Sequence, residues 1–161
     1  MEGRDHIQGP IDAPLAMVEY GDYQCPYCGE AHPIVRAIQK HLGNRLCFAF
    51  RNFPLTNMHP HAEHAAEAAE AAGAQGHFWQ MHDLLFENQD ALDDESLAQY
   101  ASSLGLDAQR LIDEVVNGHM PRVCKRIFAP EPAAALMARL RFSLTEFAMT
   151  VNPKWTHLWL R

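Results

Sequence analysis

Residues 15–28 read Leu15-Ala16-Met17-Val18-Glu19-Tyr20-Gly21-Asp22-Tyr23-Gln24-Cys25-Pro26-Tyr27-Cys28. The apolar first half is typical of a buried strand, and the apolar spacing that follows predicts a helix over residues 26–42. Pro26 suits the first helical turn, where its missing N–H is not needed. The two cysteines therefore lie one turn apart at a helix N-terminus, where unpaired N–H groups and the helix dipole favour a thiolate.

A Cys-x-x-Cys pair serves either thiol redox chemistry or one half of a zinc site. A structural zinc site needs a second pair of ligands, whereas Cys47 and Cys124 each stand alone. A second predicted strand, residues 46–50, follows the helix, so the pair lies at the strand edge where open α/β sheets place active sites. We therefore predict dithiol redox chemistry without a metal. Cys25 is the candidate nucleophile, and Cys28 is the candidate resolving thiol.

The composition indicates one soluble globular domain. The chain has 161 residues, of which 48% are hydrophobic and 20% are charged, with a formal net charge of −7. No basic patch suggests a nucleic-acid partner, and no apolar run approaches the length of a membrane span. The sequence carries no signal that sets the oligomeric state. Because the first residues lack an apolar signal core, we expect a cytoplasmic protein.

A helical block follows the second strand, over residues 59–118. An alanine-rich helix is expected over residues 59–74, and a second helix has an apolar face over residues 78–86. Asp93 or Asp94 can cap a third helix, and Asp107 can cap a fourth. We read the apolar face of residues 78–86 as core, with a groove for unfolded substrate as the functional alternative.

Several polar residues near the cysteines have both a functional and a structural interpretation. Glu19 and Asp22 are candidates for a buried acid that moves protons for Cys28. A solvent-exposed turn acid is an equally good interpretation of Asp22. Pro26 and Tyr27 lie between the thiols and are expected to tune the stability of the thiolate.

The histidines offer a weaker signal. His59, His61 and His64 resemble a metal cluster, but packing and surface positions explain them better. His77 and His82 are expected at the edge of the core. Cys47 is expected to be an inert apolar residue of a strand.

These motifs resemble the DsbA-like branch of the thioredoxin superfamily. The matching stretches are Val18 to Cys28, Arg51-Asn52-Phe53-Pro54-Leu55, His59-Pro60-His61-Ala62, Gly76-His77-Phe78-Trp79, Met81 to Phe86 and Leu104-Gly105-Leu106-Asp107. The resemblance covers residues 5–123 and implies an α/β thioredoxin-like core with an inserted helical subdomain. It also implies thiol–disulfide exchange on protein or small-thiol substrates, without a cofactor. The glutathione-transferase-like branch is a more distant match, because its active residue is not usually part of such a pair.

The tail, residues 124–161, departs from this family. The family has a Gly-Thr-Pro-Thr-Phe type of loop facing the cysteines and a strand after it, and this sequence has neither. We interpret the tail as a frame change. If each codon of residues 135–147 starts one nucleotide earlier, suitable third bases encode Gly-Val-Asn-Gly-Thr-Pro-Thr-Phe-Phe-Ile-Asn-Gly-Ile. A divergent tail with a helix near residues 131–141 is the rival interpretation.

The missing loop leaves two functional hypotheses. The first is a working thiol–disulfide oxidoreductase, whose direction stays open because the family suggests an oxidant and a reducing compartment suggests a reductase. The second is a truncated, catalytically impaired chain with no turnover. In either case the C-terminal strands of the fold are missing or replaced, so we expect low stability or, for the last forty or so residues, an arrangement that differs from the family.

Overall fold

The computed structural model describes residues 5–117. Its strands are β1 (His6–Gln8), β2 (Leu15–Gly21) and β3 (Leu46–Asn52). Its helices are α1 (Pro26–Leu42), α2 (Ala62–Ala74), α3 (Phe78–Glu87), α4 (Asp94–Ser103) and α5 (Ala108–Val116). The predicted order of strand, helix, strand and helical block is confirmed.

Within residues 5–117 the sheet has the strand order β1-β3-β2. β2 and β3 are parallel, with Val18 opposite Ala49, and α1 makes the crossover between them. The cysteine pair follows the carboxyl end of β2, as the β–α–β pattern predicts. Because β2 and β3 are parallel, the segment after Asn52 begins at the same end of the sheet as the cysteine pair.

β1 is a strand that the sequence pattern did not reveal. It pairs antiparallel with β3, from His6 opposite Phe50 to Gln8 opposite Phe48. With three residues and only one apolar side chain, Ile7, it is too short to show an alternating pattern. Its existence depends on the free edge of β3, which lies about forty residues further along the chain.

The burial of the two parallel strands differs from the expectation. In β3 the residues from Leu46 to Phe50 are all buried. Those from Leu15 to Glu19 in β2 are only half-buried, and Tyr20 is 50% exposed. The prediction of a fully buried first strand is therefore wrong for the described part of the chain. Within residues 5–117, β3 is the only strand that pairs with β2, so one edge of β2 has no strand beside it.

The helical block packs around α2. Its alanines are almost all buried, which lets α3 and α5 approach its backbone closely. α2 begins at Ala62 rather than at His59, because residues 55–59 form a turn in which the Met58 and His59 N–H groups donate to Leu55. The predicted caps are confirmed, since the carboxylates of Asp93 and Asp107 accept the N–H groups of Ser96 and Arg110.

The apolar face of α3 is core. Phe78, Met81, Leu85 and Phe86 are buried and belong to the main hydrophobic cluster. The core interpretation of residues 78–86 is thus confirmed, and the alternative of an open substrate groove along this face is wrong.

Candidate functional site

Cys25 is the N-cap residue of α1, and Cys28 lies one turn further on. The Cys25 N–H donates to the carbonyl of Asp22 at 3.1 Å, and the Cys25 carbonyl accepts from Gly29 at 3.1 Å. The Cys25 side chain makes no capping hydrogen bond. Its sulfur therefore stays available at the helix end where N–H groups lack intrahelical partners.

The two sulfurs interact with each other. Both residues are half-buried free thiols, and a side-chain hydrogen bond joins Cys28 to Cys25. The pKa of Cys28 rises to about 11, first because of burial and then because of the neighbouring Cys25 and Glu19. A backbone hydrogen bond with Asp22 acts in the opposite direction. At neutral pH, Cys28 therefore holds its proton.

Glu19 lies on β2 close enough to Cys28 for its charge to act on that thiol. Burial raises the pKa of Glu19 to about 7. A carboxyl group with this pKa exists in both protonation states near neutral pH. It is therefore able to accept and return a proton under the same conditions in which a thiol pair reacts.

Asp22 is a buried anchor rather than an exposed turn acid. Its side chain is 3% exposed, which makes the solvent interpretation of this residue wrong. Oδ1 accepts the Gln24 N–H at 2.8 Å, which forms a turn just before the cysteines. Oδ2 accepts the Leu55 N–H at 2.8 Å and lies 2.7 Å from Nδ1 of His59. One carboxylate thus ties the cysteine turn to the segment that follows β3.

Gln89 belongs to the same framework, and sequence reasoning missed it. Its side-chain nitrogen donates to the carbonyls of Tyr23 and Cys25, each at 2.8 Å. A side chain on Gly29 would collide with Gln89, so the glycine after Cys28 makes this approach possible. No local motif marks Gln89, because its partners lie 64 and 66 residues away.

Pro26 and Tyr27, predicted to tune the thiolate, are both exposed, Tyr27 by 79%. More apolar side chains are exposed at the same end of the sheet. Tyr20 meets Phe53 edge-on, and Leu55 is held by Asp22. Both Phe53 and Leu55 are more than one-third exposed. The surface around the cysteines, at the carboxyl end of β2 and β3, is therefore partly apolar.

The other predicted candidates are structural. His59 pairs with Asp22 and His64 with Asp94, so these histidines do not share a site, as the packing interpretation predicted. Cys47 is buried, and burial raises the pKa of its thiol, in agreement with an inert role. His82 lies in the core at 3% exposure rather than at its edge. Cys124 and the rest of the tail lie outside the described residues.

Comparison with known proteins identifies the family. The chain belongs to the thioredoxin family, whose model, described as Thioredoxin, matches residues 2–135. A thioredoxin-like oxidoreductase from Silicibacter pomeroyi DSS-3 is 25% identical, with a TM-score of 0.69, and the match covers 88% of this chain and 77% of that one. Wolbachia pipientis alpha-DsbA1 is 20% identical, with a TM-score of 0.66, and the match covers 89% and 72%.

These neighbours confirm the predicted resemblance to DsbA-like thiol–disulfide oxidoreductases and the predicted α/β thioredoxin-like fold. The chain is also 49% identical, over 114 residues, to a protein named Na(+)/H(+) antiporter NhaA 1 from Salinispora arenicola. That match covers 71% of this chain and 17% of the relative, so the chain spans less than a fifth of its length. Among residues 5–117, no helix combines the length and apolar character that crossing a membrane requires.

Proposed function

We propose that this chain catalyses thiol–disulfide exchange through Cys25 and Cys28 on protein or small-thiol substrates. The observation that carries the proposal is the asymmetry of the pair. Cys25 caps α1 with its sulfur free of capping bonds, whereas the pKa of Cys28 is raised to about 11. A nucleophile that reacts first and a partner that waits in the thiol form are what two-step exchange requires.

The reaction balances in either direction. With the dithiol form, the Cys25 thiolate attacks a substrate disulfide, and a mixed disulfide forms as one substrate thiolate leaves. Cys28 then loses its proton and attacks the Cys25 sulfur, which releases the second substrate thiolate. Each departing thiolate takes up a proton. The substrate gains two electrons and two protons, the pair becomes a disulfide, and the reverse sequence oxidises a substrate dithiol.

Glu19 is the proposed proton acceptor for Cys28 in the second step. Its charge acts on Cys28, and its pKa of about 7 lets it accept a proton near neutral pH. Pro26 and Tyr27, which lie between the two cysteines in the sequence, are proposed to tune the stability of the Cys25 thiolate. The exposed side chains of Tyr27 and Phe53 offer an apolar surface to an extended substrate.

The name antiporter belongs to a much longer protein, and the segment that matches this chain makes up 17% of it. We therefore propose exchange chemistry for this segment and assign ion transport to none of its residues.

The test is turnover with a disulfide-bonded peptide and glutathione as the second substrate. We expect the full chain to turn over, Cys25→Ser to be inactive, and Cys28→Ser to accumulate a mixed disulfide at Cys25. Cys47→Ala is the matched control, since the buried Cys47 thiol lies outside the pair. Activity that survives in Cys25→Ser would overturn the assignment.

The rival proposal is a chain that reacts once and does not turn over. The absence of a Gly-Thr-Pro-Thr-Phe type of loop from residues 124–161 favours it. The same assay separates the two, because an impaired chain gives at most one equivalent of product and then stops. Repeated turnover would reject the rival.

A further inference from the structure

A second group of side chains that can bind a metal does not include the cysteine pair. His32 on α1 and His82 and Asp83 on α3 each offer one ligand atom, and these atoms lie within 4.8 Å of one another. They line a cavity of about 180 Å³ between α1, α3 and the sheet. The proposed exchange reaction uses none of the three.

His32 has a buried side-chain nitrogen without a hydrogen-bond partner. This atom is Nε2, and the residue is 8% exposed. One carboxylate oxygen, Oδ1 of Asp83, lies 3.5 Å from this nitrogen. A buried polar atom without a partner costs free energy, and His32 is one of the residues that line the cavity, so the residue points to a ligand.

We propose that His32, His82 and Asp83 form a zinc-binding site. Two imidazoles and one carboxylate match the donors that Zn²⁺ prefers, with the cavity leaving room for water as a fourth ligand. Tetrahedral ligands about 2 Å from zinc lie about 3.3 Å apart, which is close to the His32–Asp83 separation.

The surroundings of His82 suit a ligand. The Tyr23 hydroxyl lies 3.1 Å from Nδ1 of His82. When Nδ1 carries the proton and donates it to Tyr23, Nε2 has its lone pair free for a metal. Burial lowers the pKa of both imidazoles, that of His82 to about 3, so both are neutral at pH 7.

One positive charge opposes the ion. Arg36 donates to Oδ2 of Asp83 at 2.9 Å, which leaves Oδ1 towards His32. Arg36 is also 3.6 Å from Glu87, and its side chain is 52% exposed. It is therefore able to move its charge towards Glu87 when a cation enters. The bound ion would join α1, which begins at the cysteine pair, to α3.

The test is a calorimetric titration of the full chain with Zn²⁺ in a Cys25→Ser/Cys28→Ser background, which removes the competing Cys-x-x-Cys pair. We expect saturable binding that raises the melting temperature. Asp83→Asn and His32→Gln should each weaken binding by at least about tenfold, the loss that even an outer-shell change produces. His64→Gln, which removes an imidazole paired with Asp94, should leave the affinity unchanged. Arg36→Gln should bind more tightly.

Absence of saturable binding, or binding that survives both ligand variants, overturns the proposal. Equal loss in His64→Gln does the same. X-ray absorption of the zinc-loaded background protein tests the site without any further substitution in the folded core. Two imidazole nitrogens around the zinc support the site, and a spectrum without them rejects it. Because the redox pair is absent from this background, the result is independent of the exchange activity.

Discussion

At the scale of single residues, burial raises the pKa of the Cys28 thiol and of the Glu19 carboxyl group beside it. Cys28 is a weaker acid than an ordinary cysteine because the protein surrounds it, and the charge of Glu19 adds to this effect. Glu19 is itself raised in pKa to about 7 by burial alone. The same low-dielectric environment therefore keeps a proton on Cys28, the proposed resolving thiol, and brings the pKa of Glu19, the proposed proton acceptor, into the neutral range.

The first residue-scale prediction concerns alkylation of the reduced chain. Cys25 should be labelled by iodoacetamide at pH 8 well before Cys28, whose labelling should increase until about pH 11, its raised pKa. In Cys25→Ser the pKa of Cys28 should fall, because the Cys25 charge and hydrogen bond both raise it. Mass spectrometry of each cysteine against pH measures both effects. Equal labelling rates at Cys25 and Cys28 would refute the division of roles.

The second residue-scale prediction is a pH dependence of stability due to Glu19. Its pKa is raised in the folded state, so the associated stability is present below about pH 4.5 and is lost as the pH rises to about 7. We expect Glu19→Gln to be more stable than the parent chain at pH 8, by on the order of 1–3 kcal/mol. The two should be nearly equal at pH 4.

Urea unfolding at both pH values measures this difference. Glu30→Gln is the matched control, since Glu30 is an exposed glutamate of α1. The Glu19→Gln variant should also show slower resolution of the mixed disulfide, because the proposed proton acceptor is gone. A stability gain at pH 8 that Glu30→Gln reproduces would assign the effect to net charge instead.

At the scale of elements, Asp22 connects the cysteine turn to the segment after β3. In Asp22→Asn, an amide nitrogen replaces one of the two carboxylate oxygens. Because Gln24 N–H and Leu55 N–H each donate to a different one of these oxygens, one of the two N–H groups loses its acceptor. We expect a loss of about 1–3 kcal/mol in the free energy of unfolding, typical of an unsatisfied buried donor.

Hydrogen exchange locates this loss. The Leu55 amide should exchange faster in Asp22→Asn, whereas the strand amides of β3 should change only through the global loss of stability. Asp12→Asn is the control, because Asp12 is exposed. Unchanged protection of Leu55 would show that the carboxylate does not hold this segment.

The elements themselves were largely predictable because their signals are local. The strand before the cysteines, the extent of α1 and the caps at Asp93 and Asp107 each depend on residues a few positions apart. Features that depend on distant partners were missed. β1 exists through its pairing with β3, and Gln89 acts on a carbonyl 64 residues away. The burial of Asp22, which the sequence left open, depends on a segment 33 residues further on.

At the scale of the whole molecule, the edge of β2 raises the question of the tail. Within residues 5–117, β3 is the only strand paired with β2, and β2 is only half-buried. A strand edge without a partner is a site of aggregation. In the frame-change interpretation, the reading Gly-Val-Asn-Gly-Thr-Pro-Thr-Phe-Phe-Ile-Asn-Gly-Ile over residues 135–147 would supply the family's loop and following strand.

The final prediction follows from that interpretation. The chain as it stands should unfold at low temperature or without a sharp transition, and sequencing of codons 118–161 should be compatible with the shifted reading. A variant in which residues 135–147 carry the shifted sequence should melt higher and turn over faster, because the strand would cover apolar surface and the loop would face Cys25. A variant with the same thirteen residues in scrambled order controls for composition. If the unaltered chain already unfolds cooperatively at an ordinary mesophile temperature, about 45–65 °C, and the shifted segment adds nothing, the tail is a genuine part of the fold.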